Sequence, residues 1–173
     1  MKRLTVLRHA KSSWDDPALD DFNRPLNERG WKAARRIGRE LKQRGMHFDL
    51  VLASTAARVR ETVDGVQEKY DFEAAPIRFE PKIYMASVEE LMELVRALPD
   101  QAGSALLVGH NPGLERLVME LTHADEAGLR DYVAVKFPTA ALAAIELSIE
   151  HWAETAGGCG RIVELILPRA LDN

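Results

Sequence analysis

Leu4-Thr5-Val6-Leu7 runs without a break into Arg8-His9-Ala10-Lys11-Ser12. A short apolar run of this kind reads as a buried strand. It cannot continue into a core past Leu7, because Arg8 and His9 carry polar groups that must be paired or solvated. Two further stretches repeat the pattern. Asp49-Leu50-Val51-Leu52-Ala53 stops at Ser54-Thr55, with Arg58 and Arg60 just beyond, and Ala105-Leu106-Leu107-Val108 stops at Gly109-His110-Asn111-Pro112. In an open α/β sheet, ligands bind outside the carboxyl ends of parallel strands, where loops from different strands converge. Arg8, His9, Arg58 and His110 are therefore expected in one crevice.

The stretches between these runs supply the crossovers. Residues 12 to 25 are polar and turn-rich and read as a loop, whose acidic residues Asp15, Asp16, Asp20 and Asp21 are expected to be solvated. Trp31, Ala34, Ile37, Gly38 and Leu41 have helical spacing, which predicts a helix over 28–44 and a βαβ unit. The spacing of Ala56, Val59, Val63 and Val66 predicts another after Ser54, and further helices are predicted over 88–98, stopped by Pro99, and 113–122. Residues 140–149 and 161–167 are apolar and partly alternating around Gly157-Gly158-Cys159-Gly160, which predicts an antiparallel pair added to the sheet edge. The fold class expected is α/β: a three-layer αβα sandwich, mainly parallel, with helices on both faces. A chain of 173 residues suits a single domain over 1–173.

Composition narrows the function classes. With 29% charged and 46% hydrophobic residues the chain reads as an ordinary folded protein, not a disordered one. The net charge of −4, from 23 basic and 27 acidic residues, and the lack of a basic run disfavour nucleic acid as a partner. Cys159 is the single cysteine, which rules out an internal disulfide and fits a reducing compartment. The apolar run after Met1-Lys2-Arg3 is too short for a signal peptide and no segment is long enough to span a bilayer, so no membrane partner and a cytoplasmic location are expected. His47, His123 and His151 have no metal-ligand spacing, and no phosphate-binding or dinucleotide-binding glycine loop is present, so neither a metal nor another cofactor is implied.

Taken together the motifs resemble those of the histidine phosphatase, or phosphoglycerate mutase-like, superfamily. Arg8-His9-Ala10 matches its Arg-His-Gly signature, Ser54 to Thr62 its Ser-Pro-x-x-Arg-x-x-Gln-Thr stretch, Val108-Gly109-His110-Asn111 its Gly-His motif, and Arg24 to Gly30 its Pro-Leu-Thr-x-x-Gly segment. Ala10, Thr55 and Glu61 depart from glycine, proline and glutamine. The short interval between Arg58 and His110, together with Leu-Arg-His-Ala-Lys-Ser and Asn-Arg-Pro-Leu, is similar to the SixA-type phosphohistidine phosphatases.

The chemistry suits those residues. Phosphoryl transfer is largely positioning plus stabilisation of charge on three outer oxygens, and Arg8 and Arg58 offer planar, permanently charged forks for them. The imidazole of a histidine, with an ordinary pKa of about 6.5, is a nucleophile near neutral pH when held in one tautomer, a task suited to a backbone carbonyl. The resemblance implies that His9 is transiently phosphorylated and that His110 stabilises the phosphoryl group. Arg24, Lys11, Ser12 and Asn111 are the candidate further substrate contacts. Glu80 is the nearest candidate proton donor, though Pro81 and Tyr84 follow it without the family's acid motif. A missing acid favours phosphohistidine, whose imidazole leaving group is easily protonated, over sugar phosphates.

The expected function is thus hydrolysis of phosphohistidine on a signalling protein such as a phosphotransfer domain. Two alternatives stay open: a phosphatase for small phosphorylated metabolites, and a phosphate-dependent binding module without turnover.

Overall fold

The computed structural model describes residues 1–168, so 169–173 of the domain expected over 1–173 lie outside the described residues. The apolar run at the start of the chain forms β1 (Lys2–Arg8), and the helical pattern after the loop forms α1 (Glu28–Gln43). There follow β2 (Leu50–Ala53), α2 (Ala57–Gln67), β3 (Ile77–Phe79), α3 (Val88–Arg96), β4 (Ser104–Gly109), α4 (Gly113–Leu121), α5 (Leu129–Val135), β5 (Leu142–Leu147) and β6 (Gly160–Ile166).

The strands form one sheet in the order β3-β2-β4-β1-β5-β6. β3, β2, β4 and β1 run parallel, whereas β5 pairs antiparallel with β1 and with β6. The tail pair therefore extends the sheet on the β1 side, as its alternation predicts. The period-2 rule divides the side chains of β4 between two cores: Ala105 and Leu107 pack with α3 and α4, while Leu106 and Val108 pack with α1 and α2. Val133 of α5 joins the first core. Helices cover both faces, which is the three-layer α/β arrangement expected. Each fully buried leucine in these cores contributes about 1.5–3 kcal/mol by leaving water.

β2, β4 and β1 are adjacent and parallel, so Ser54, His110 and His9 follow three neighbouring carboxyl ends. The start of α1 closes on the loop beyond His9. The Asn27 side chain accepts from the Gly30 N–H at 2.8 Å, capping the helix, and the Asn27 N–H donates to the Lys11 carbonyl at 3.1 Å. A Cβ at position 30 would lie 2.1 Å from that carbonyl oxygen, so only glycine allows the approach. No helix among the described residues is long and apolar enough to cross a membrane.

Candidate active site

The His9 backbone is fixed on both sides: its N–H donates to the Gly109 carbonyl at 3.0 Å and its carbonyl accepts from the Ala140 N–H at 3.0 Å. The next residue ties the loop to α2. The Ala10 N–H donates to Thr62 Oγ1 at 2.9 Å, and that hydroxyl donates to the Arg58 carbonyl at 2.6 Å. One threonine thus sets the distance between the histidine loop and the helix carrying Arg58.

Arg8, His9, Lys11, Ser12, Trp14, Arg24, Arg58, His110, Asn111 and Thr139 line a cavity of about 370 Å³. The four residues expected to meet do meet there, and Arg24, Lys11, Ser12 and Asn111 join them. The ring centroids of His9 and His110 are 5.3 Å apart. His9 is 7% exposed, and its Nδ1 lies 2.7 Å from the Ala10 carbonyl oxygen. A carbonyl only accepts, so Nδ1 carries the proton and Nε2 keeps the lone pair. The carbonyl that holds the tautomer is therefore Ala10's own.

Burial pushes the His9 pKa down to about 4; the Ala10 carbonyl opposes the shift, while Arg58, Arg8 and Arg24 add to it. His110 is lowered to about 3, again chiefly by burial, with His9 and Arg58 adding. Both rings are neutral at neutral pH. The His110 Nε2 lies 2.8 Å from Ser54 Oγ, which brings the residue just after β2 against the second histidine. Arg8 Nε, Arg58 Nε and His110 Nδ1 are buried without a hydrogen-bond partner among the described residues. All three residues also line the cavity.

The loop before α1 differs from its expectation. Asp16 and Asp20 make local turn bonds, but Asp21 is the anchor of the arginines. Its carbonyl accepts from Arg58 Nη1 at 2.7 Å, its Oδ2 accepts from Arg58 Nη2 at 3.0 Å and from the Tyr84 hydroxyl at 2.6 Å, and its Oδ1 accepts from Arg24 Nη2 at 3.1 Å. The Tyr84 hydrogen bond and then Arg58 hold the Asp21 carboxyl down to about 2, against the opposing effect of its partial burial, so it is ionised at any working pH. Composition alone marks Asp21 as solvated because its partners lie 37 and 63 residues away.

Arg24 is 8% exposed, donates to Ser12 Oγ at 2.9 Å and is stacked under the Trp14 ring at 3.5 Å. Asn111 reaches the cavity wall, but its amide nitrogen donates to the Phe137 carbonyl at 2.8 Å, a carbonyl shared with Arg8 Nη1 at 3.2 Å. Glu80, the candidate proton donor, does not line the cavity, and its carboxylate accepts from the Lys82 N–H at 3.0 Å. Pro81 opens a 3-10 turn, and the residue before such a turn serves as its cap. Glu61, which stands where the motif has glutamine, accepts from the Leu26 N–H at 2.9 Å; a carboxylate provides the same acceptor. Trp14, Tyr84 and Thr139 carry no motif in the sequence.

Comparison with known proteins agrees with this geometry. The profile of the histidine phosphatase superfamily (branch 1) matches residues 4–84. An uncharacterised protein of Mycobacterium tuberculosis is 32% identical over 167 residues, spanning 94% of this chain and 100% of its own. The chain belongs to the histidine phosphatase superfamily. Within it, the crystal structure assigned as the phosphohistidine phosphatase SixA of Agrobacterium tumefaciens is similar at 32% identity, with a TM-score of 0.80 over 96% of this chain and 98% of that one. The structure bearing the same assignment from Nakamurella multipartitia has 28% identity and a TM-score of 0.83, over 96% of each chain.

The buried neutral rings carry a pH signature. An NMR titration of the His9 ring is expected to have its midpoint near pH 4, and a midpoint near the ordinary value of about 6.5 would contradict the assignment. The sign for stability follows from linkage. In the unfolded chain His9 takes up its proton as pH falls through about 6.5, whereas in the folded protein it waits until about 4. The stabilisation is therefore full above about 6.5 and is lost as pH falls toward 4, by on the order of 3 kcal/mol for this group.

Proposed function

We propose that the protein hydrolyses phosphohistidine on a partner protein in the cytoplasm, through a phosphoryl group carried transiently on His9 Nε2. The single observation that carries this reading is the absence of an acid from the cavity wall. Among the described residues lining it there are three arginines and one lysine but no carboxylate. The nearby Asp21 is held ionised, at a pKa of about 2, and has no proton to give. An alkoxide leaving group needs a proton from such an acid. The imidazole of a phosphohistidine can be protonated by solvent before it departs.

The steps balance simply. The Nε2 lone pair of His9 forms a bond to phosphorus as the bond from phosphorus to the substrate imidazole breaks, and that imidazole leaves with a proton from water. Water then adds to phosphorus, the bond to His9 breaks, and phosphate is released with His9 neutral again. Arg8, Arg58 and Arg24 hold the outer oxygens, and His110, whose ring centroid lies 5.3 Å from that of His9, stabilises the same group. A module that only bound phosphate would need the arginines but not a histidine held in one tautomer with Nε2 unprotonated.

The test is a comparison of substrates. The kcat/KM on a histidine-phosphorylated phosphotransfer domain is expected to exceed that on alkyl and sugar phosphates by about 100-fold or more, the scale of general acid catalysis that the site lacks. Equal or faster turnover of a sugar phosphate would overturn the reading in favour of a small-molecule phosphatase.

A further inference from the structure

A second and larger cavity, of about 620 Å³, lies between α1 and α5. Lys11, Arg29, Lys32 and Lys136 line it, and no aspartate or glutamate among the described residues does. None of these four cations forms an ion pair among the described residues. This runs against the chain's net charge of −4. Its wall also carries Tyr132, 55% exposed, and Val135, 87% exposed, which add apolar surface among the basic side chains. The groove adjoins the cavity around His9, since Lys11 and Thr139 line both.

We infer that this groove receives an acidic segment of the phosphorylated protein, adjoining its phosphohistidine in space. The inference rests on the phosphohistidine reading above and adds the partner's chemistry to it. Unpaired cations on exposed, flexible stems do not converge on one small anion; they suit several carboxylates spread along a polypeptide, with Tyr132 and Val135 meeting its apolar side chains. On a protein of net negative charge the same patch orients an acidic partner, because the rest of the surface repels it. A segment leaving the phosphoryl site past Lys11 enters the groove directly.

The experiment uses the full chain and its Lys32→Glu/Lys136→Glu double variant. Both side chains are exposed and neither lines the cavity around His9. The substrates are a histidine-phosphorylated domain with an acidic segment beside its histidine, the same domain with those carboxylates changed to amides, and free phosphohistidine. The double variant is expected to raise KM for the acidic domain about tenfold with kcat unchanged, to leave the amide version and free phosphohistidine unaffected, and to weaken the salt dependence of KM. An unchanged KM for the acidic domain, or an equal loss on free phosphohistidine, would overturn the groove assignment while leaving the phosphohistidine reading standing. Failure of the wild-type chain to turn over any of the three would remove that reading, and the groove assignment with it.

Discussion

His9→Ala is expected to lower turnover of a phosphohistidine substrate by about 10⁴-fold or more, the scale on which removal of a nucleophile acts. The fold should survive. The backbone bonds that hold position 9, to Gly109 and Ala140, do not involve its side chain, which contributes one hydrogen bond to its neighbour's carbonyl. Phosphate or a phosphate analogue should still bind, because Arg8, Arg24 and Arg58 remain. Loss of activity with binding retained separates a nucleophile from a residue that merely shapes the cavity. Residual activity within tenfold of wild type would mean that water attacks the substrate directly.

The second large effect is expected at Arg58. The residue is 6% exposed, lines the cavity and is held at two points by Asp21. Arg58→Ala should cost about 10³-fold in kcat, the range seen when one donor to a developing charge is removed. Arg58→Lys should recover only part of it, since an ammonium keeps the charge but not the planar fork. The same change strips Asp21 of its first charged partner, so its carboxyl should titrate at a higher pH. Arg60→Ala is the natural control: that guanidinium lies over the Phe79 ring at 4.1 Å and donates to the Thr55 carbonyl, away from the cavity. Steady-state kinetics on the three variants checks the set, and an equal loss at Arg60 would point to general electrostatics instead of a positioned donor.

Much of this architecture is written locally. The apolar runs at Leu4, Leu50 and Ala105 end within one residue of their strands, and the helical stripes of α1 to α4 agree with the structure to within a residue or two. Local pattern is also why β3 and α5 escape it. β3 is three residues long, two of those residues are exposed, and prolines stand close on either side. α5 buries only Val133, so no apolar stripe marks it. The four central site residues are legible because each stops an apolar strand or follows one. Asp21 and Tyr84 are not, because their meaning arises from pairing across the chain with Arg58 and with each other. Glu80 shows the converse: a carboxylate at a plausible place in the order of motifs is drawn off by the turn beginning at Pro81.

The central claim is that phosphorus passes through His9. Rapid quenching of the enzyme with a histidine-phosphorylated domain carrying labelled phosphate, followed by mapping of the labelled peptide, addresses it directly. The expected result is an acid-labile, base-stable phosphoryl group on His9 that appears before free phosphate and is absent from His9→Ala. Steady release of phosphate with no label on His9, or label on another residue, would contradict the account.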